Sequence, residues 1–331
     1  MSLQERDRRW ALLRREMAAH DLECLLVSGF HSVLWEAQAS LRWLTNLDIE
    51  GFLVFPREGE PIFYSFIPRP KVTRLEGCWV PDNRSGFPSF GQSLVDGLRE
   101  LGVGKGKVGV LSMSGVFGEY GGFPYAAMHD LQAQLAELEF EDSTSWFAPL
   151  RMIKSAEEIR MFEIGAAIAE DVFAAVVETA GEGVADAEIR AAISAARIRA
   201  GCEPHSTTFY AQGKDVCHPL DSGIMLEPGY GNPLQRGDVI VSELATRVNG
   251  YEIEFNQAWV LGEADEEWER MFVVAAESFE VGVAALRPGI TNIDLQEAMR
   301  APLEEAGFTW FYVFFHGSGL LDEPPSSNAR V

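Results

Sequence analysis

The sequence predicts two domains in tandem: an α/β domain built on a central sheet, then an α+β half with helices bunched on one side of an antiparallel sheet. Three observations lead there. The 331 residues are too many for one ordinary domain and suit two. Short apolar runs alternate with amphipathic stretches up to about Leu138, as strands and helices do around a central sheet. Beyond the polar stretch Glu141–Ser145, which reads as a linker, strands follow one another directly and long capped helices stand before and after them.

Residues 4–20 place Trp10, Leu13 and Met17 on one face of an amphipathic helix. Leu22–Ser28 is an apolar run of strand length. Phe52–Phe55 and Ile62–Ser65 flank the charged turn Arg57–Glu60 and read as a hairpin. Lys107–Met113 is another buried strand, and Tyr125–Leu138 is helical in pattern. Ser155 and Glu158 form a capping box that opens a helix to about Ala180. A second helix spans Glu188–Ala200, and strands are expected near Thr207–Gln212, Val239–Thr246 and Tyr251–Leu261. Helices over Asp265–Leu286 and Thr291–Ala306 follow, the second capped by Thr291 and Asp294. A last strand, Trp310–Phe315, leads into His316.

The charge excludes some functions. Against 27 Lys and Arg stand 50 Asp and Glu, a formal net charge of −23. Such a field repels phosphate backbones and anionic lipid, so neither nucleic acid nor membrane is expected as a partner. The N-terminal stretch has no apolar core of a signal peptide, and no apolar run reaches the ~18 residues of a membrane span. Cys24, Cys78, Cys202 and Cys217 are scattered without a CxxC pair, which suits reduced thiols in a cytoplasmic setting.

Gly102, Gly104 and Gly106 precede a strand, whereas a nucleotide-binding loop follows one and opens a helix, so they read as a turn. Gly317-Ser318-Gly319 lacks the spacing of a nucleophile elbow. His205 precedes a strand and reads as a satisfied polar residue, His31 and His129 have no motif partner, and Trp146-Phe147 reads as packing at the domain boundary.

Three segments carry chemistry: Phe209–Pro219 with Gly213 and His218, Arg236–Glu254, and His316–Pro325. In the second, a strand carries Glu243 on a face with Val239 and Val241, where an unpaired carboxylate is costly. Asn249-Gly250 turns the chain, and Glu254 returns 11 residues after Glu243. Two carboxylates brought together across a hairpin repel unless a cation or a shared proton lies between them.

The order and spacing of these segments resemble the pita-bread family of creatinase, aminopeptidase P, prolidase and methionine aminopeptidase, over essentially the whole chain. Residues 1–145, with Trp43-Leu44-Thr45-Asn46, look like the creatinase-type N-terminal domain. Leu150–Glu158 resembles the entry to the catalytic domain, expected over 150–331, and Arg287-Pro288-Gly289 before a capped helix is also familiar.

The resemblance implies an α/β creatinase-like domain followed by an α+β pita-bread catalytic domain. Metallopeptidase members hold two divalent metals with two Asp, one His and two Glu. Glu243 stands where the first Asp falls, five residues after a Gly-Asp pair, and Glu254 where the second falls. His316 matches the ligand His, and His218 the catalytic His near substrate. The ligand set suits Mn, Co, Fe or Zn, or no metal at all in a creatinase-like branch. Departures are plain: both Asp are Glu, the usual Arg is Gln257, the second motif His is Asp322, and the strands bearing the last two Glu have no counterpart before Val331. The C-terminal end of the domain is thus expected to be missing. The expected function is an Xaa-Pro peptidase-like hydrolysis of a small peptide or amide, with His218 and Asp322 as catalytic groups. The alternatives are a metal-independent creatinase-like hydrolase of a small metabolite and a non-catalytic homologue. A homodimer is the expected assembly.

Overall fold

The computed structural model describes residues 1–31, 36–37, 39–66, 78–113, 122–203, 208–213, 233–310, 314–320 and 322–327. The chain divides into two compact units, Met1–Ile159 with Gly319–Asp322, and Arg160–Ser318 with the segment from Glu323 on.

The first unit is a sheet with helices on both faces. Helix α1 (Leu3–Ala19) is capped by Ser2, whose hydroxyl accepts from the Glu5 amide, and buries Trp10, Leu13 and Met17. Strand β1 (Leu22–His31) runs past the Ser28 expected as its end. It pairs with the short β2 (Glu36–Ala37), antiparallel with β3 (Gly51–Pro56) and parallel with β6 (Gly106–Val110). β3 and β4 (Ile62–Ser65) form the expected hairpin. β5 (Asn83–Ser85) lies beyond β4, and β7 (Leu138–Asp142) beyond β6, giving the order β5-β4-β3-β1-β6-β7. Alternation along the strands sorts the core: Cys24, Leu26, Phe52 and Val54 face Leu94, Val95 and Leu98 of α3 (Phe90–Glu100) and Met128 and Leu131 of α4 (Tyr125–Gln134). On the other face α1 packs with α2 (Ala39–Thr45) and α5 (Thr144–Met152).

The polar stretch read as a linker is structured. Glu141 and Asp142 end strand β7, and Thr144 opens α5. The strand is polar because it borders the sheet at the end of that order, with β6 as its partner among the described residues. Trp146 and Phe147 are likewise used inside the first unit: Trp146 stacks on His20 at 4.8 Å, and Phe147 meets the edge of Trp43 at 5.7 Å.

A buried ion network ties the ends of this unit together. Arg9 is 1% exposed, lies 5.2 Å from the ring centroids of both Trp43 and Trp79, and bonds Glu5 at 2.7 Å. Its other face meets Glu158 at 3.3 Å, and Arg8 reaches the same carboxylate at 3.2 Å. Glu158 also closes the expected capping box, accepting from the Ser155 amide at 2.7 Å while the Ser155 hydroxyl accepts from the Glu158 amide at 3.2 Å.

The second unit begins in α6 (Ala156–Thr179), followed by α7 (Asp186–Arg199). Strands β8 (Thr208–Gly213), β9 (Val239–Val248) and β10 (Tyr251–Val260) form an antiparallel sheet in the order β10-β9-β8. Ile168, Val172, Ile189 and Ile193 of the two helices pack on Ile240 and Leu244 of β9. Helices α8 (Glu266–Ala285) and α9 (Asn292–Glu305) pack together; Asp265 caps the first and Thr291, as expected, the second. Of the strand expected over Trp310–Phe315, residues 311–313 lie outside the described residues. The described pairing starts at His316, with β11 (His316–Ser318) against β12 (Asp322–Ser326).

Candidate active site

The site is built on the β9–β10 hairpin. Asn249 and Gly250 have φ of 50° and 86°, the two left-handed positions of a type I′ turn, whose twist matches that of the strands it joins. The ten-residue ladder then fixes every facing pair. Glu243 is opposite Asn256, and Glu254 is opposite Ala245. The two carboxylates therefore share a face but sit diagonally, at a spacing of about 7–8 Å between backbones for such neighbours.

That face is not the one packed on the helices. Ile240, Ser242, Leu244 and Thr246 point to α6, where the Thr246 hydroxyl donates to Gly165 O at 2.8 Å. Glu243 lies on the opposite face with Val239, Val241 and Ala245, and is half-buried. The apolar neighbours read from the sequence are correct. Val239 and Ala245 on that face are buried, although the helices of the second unit pack on the opposite one.

His316 comes to Glu254 from β11. Its Nε2 stands 3.1 Å from Glu254 Oε2, with side-chain exposures of 23% and 15%. Its Nδ1 lies 3.0 Å from Gly317 O. A carbonyl only accepts, so Nδ1 carries a proton and donates it there. Nε2 is left to face the carboxylate, and either a proton or a cation must lie between them for the contact to be attractive. The sequence-read residues are thus divided. Glu254 and His316 meet, and Glu243 shares their strand face. His218 and the side chain of Asp322 lie outside the described residues.

A second pair on the same face is absent from the sequence reading. Arg247 and Glu252 are direct cross-strand partners on either side of the turn, both buried, and the guanidinium binds the carboxylate. Arg197 of α7 lies near them, and burial pushes its guanidinium down to about 10 against the opposing pull of Cys202 and Glu252. Glu203 accepts from the Gly250 amide at 2.9 Å, bracing the turn from outside. The signal was present: opposite charges placed symmetrically about an Asn-Gly turn are a cross-strand pair.

The donor atoms can be set against a metal. An imidazole whose Nδ1–H is held by a backbone carbonyl while its Nε2 faces a carboxylate has the usual orientation of a metal-binding His. Two donors in contact do not make a site, however, and among the described residues no group of three or more His, Cys, Asp or Glu could hold a metal ion. The described side chains fall short of the set a divalent ion needs. Among the described residues, no helix is long and apolar enough to cross a membrane.

Comparisons with known proteins agree with this architecture. A model of the creatinase/prolidase N-terminal domain matches residues 9–153, and that of metallopeptidase family M24 matches residues 160–329. An Xaa-Pro dipeptidase of Pyrococcus furiosus is 24% identical over 212 residues, 64% of this chain and 59% of that protein. One from Pyrococcus horikoshii is 26% identical over 200 residues, 60% of this chain and 55% of that protein. The aligned part thus spans less than two thirds of these curated relatives. The crystal structure of an X-Pro aminopeptidase from Thermotoga maritima is similar with a TM-score of 0.78 at 17% identity, covering 96% of this chain and 84% of the other. The prolidase from Pyrococcus horikoshii gives 0.75 at 19% identity, covering 97% and 85%. Such low identities establish the fold, a creatinase-type N-terminal domain followed by a pita-bread domain. Membership also implies divalent metal use at the level of the family. With more than half of its length matched by the catalytic-domain model, the chain belongs to metallopeptidase family M24.

Proposed function

We propose that the chain is an Xaa-Pro peptidase-like hydrolase acting on a small peptide or amide substrate. The observation that carries the reading is the contact between Glu254 and His316 beside the β9–β10 hairpin, on the face that Glu243 shares. In this reading the pair holds and moves a proton at the scissile amide, the work a carboxylate and an imidazole do as general acid and base. Glu243, on the same strand face, adds negative charge that keeps the imidazole in play. His218 serves as the acid/base or oxyanion partner of the substrate, and Asp322 assists it from β12. A divalent ion of the family's kind, Mn, Co, Fe or Zn, would draw on Glu243, Glu254 and His316, but as placed these three do not close into a metal-holding group, so the pair's own proton chemistry carries this reading. The assembly is proposed to be a homodimer, which sedimentation velocity would report.

One observation favours a second reading, a metal-independent creatinase-like hydrolase of a small C–N metabolite. With Nδ1 held by Gly317 O, His316 already has the direct carboxylate contact needed to pass a proton without help. The deciding experiment is hydrolysis of a panel of Xaa-Pro dipeptides and small non-peptide amides by the purified chain, after chelation and after addition of each of the four metals. Xaa-Pro cleavage restored by one metal supports the first reading. Turnover of a non-peptide amide that chelation leaves intact replaces it with the second. No turnover under any condition rejects both in favour of a ligand-binding homologue.

A further inference from the structure

His316 sits on a strand that belongs to another ladder. β11 pairs with β12 in a two-stranded sheet, while β10 is laddered to β9. Among the described residues, side chains rather than a ladder fasten β11 to β10. Two of these fastenings bear on the site. His316 Nε2 meets Glu254 Oε2, and the Ser318 hydroxyl donates to the backbone carbonyl of Glu252. Counting outward, His316 to Ser318 runs against Glu254 to Glu252, so the two contacts define one antiparallel register.

We propose that Ser318 is a positioning residue for His316: its bond to Glu252 O sets the register that brings the imidazole to Glu254. The physical need is clear. A slip of one residue turns His316 to the opposite face, and a slip of two takes it past Glu254. The carbonyl that Ser318 grips is itself fixed, because the Glu252 side chain is buried against Arg247 across the hairpin. The other end of β11 is held as well. The buried Ser327 hydroxyl accepts from the Phe314 amide at 2.6 Å and the Phe315 amide at 3.2 Å, and its own amide donates to Phe315 O at 2.9 Å. Ser327 fixes where the strand enters, and Ser318 fixes where it lies against β10.

The catalytic part of this proposal rests on the Xaa-Pro hydrolase reading, so its test has two arms. In protein with ¹⁵N-labelled histidine, the ring signals of His316 are assigned by their loss in His316→Gln. Ser318→Ala is expected to shift or split those signals and leave the other histidines unchanged, and Ser318→Thr, which keeps the hydroxyl, is expected to restore them. On an Xaa-Pro dipeptide, Ser318→Ala should lower kcat about 10-fold to 10²-fold with little change in KM, since a displacement near 1 Å costs that much. Unchanged His316 signals in Ser318→Ala overturn the proposal. Absence of Xaa-Pro turnover in the unmodified chain overturns the hydrolase reading alone, and the ring signals still decide the role of Ser318. Should Ser318→Ala melt early, Ser318→Cys, a weaker donor of similar size, replaces it under the same two criteria.

Discussion

Glu254 and His316 meet at 3.1 Å although 62 positions separate them in the chain, and neither belongs to the ladder of the other. The two side chains are only 23% and 15% exposed, so a chemical role is told from a structural one by whether the charge, rather than the contact, is needed.

Glu254→Gln keeps the size of the side chain and an amide that can still hydrogen-bond His316, so it is expected to change the melting temperature little. On an identified substrate it should lower kcat/KM by about 10²–10⁴-fold, the usual contribution of a positioned acid or base. A variant that melts early and keeps its turnover would reverse the assignment and make the pair structural. His218→Ala, measured beside it, should show a loss of similar order.

The hairpin turn offers a separable test. Gly250 has φ 86°, and a side chain in the left-handed region costs about 1–2 kcal/mol. Gly250→Ala should destabilise the second unit by about that amount in urea titration. Asn249→Gly should be close to neutral, since either residue accepts this conformation. Equal effects from both substitutions would show that the turn does not set the hairpin.

In the first unit, Arg9→Met removes one member of a buried network and leaves Glu5 and Glu158 facing each other's surroundings without it. Breaking a buried pair from one side costs about 3–5 kcal/mol. Glu158→Gln isolates the charge, because Gln still serves a capping box. It should lose most of that amount while helix α6 keeps its N-terminus, seen as protected amides in hydrogen exchange.

Acid should loosen the same network in a defined direction. Burial pushes the Glu5 carboxyl up, but the hydrogen bonds from Arg8 and Arg9 outweigh it and leave the folded pKa lowered. A lowered carboxyl contributes stability that is present above its ordinary range near 4.5 and is lost as pH falls through the folded value. Melting temperatures taken downward from neutral pH should drop more steeply below that range in the unmodified chain than in Glu5→Gln. Parallel curves would remove Glu5 from the account.

Legibility in the sequence followed the range of the forces involved. The capping box at Ser155 and Glu158 and the Asn249-Gly250 turn were readable because their causes lie within four residues. Helix α2 was not, since all seven of its residues are buried and no polar face marks a period. Helix α3 was hidden by Gly91 and Gly97, poor helix formers that are present for packing: a Cβ at Gly97 would come within 2.7 Å of the Tyr64 hydroxyl. Strand β7 looked like a linker because a bordering strand tolerates charge. In the site, motif order pointed to Glu243, Glu254 and His316, but the diagonal offset of the two carboxylates depends on register, and the Ser318 bond depends on how β11 lies against β10. Neither is written in local sequence.

The carboxylate of Glu158 has an implication for how the chain is made. It is shared between the first turn of α6 and two arginines near the N-terminus, about 150 positions earlier. Closing a loop of that length carries a chain-entropy cost that grows slowly with size but must be met before the contact gives anything back. During synthesis, Arg9 would emerge long before Glu158, so α1 has to wait beside Trp43 and Trp79 with Glu5 as an early counter-charge. The network would then close only when the far end of the Met1–Ile159 segment has left the ribosome, which couples the order of folding to the order of translation.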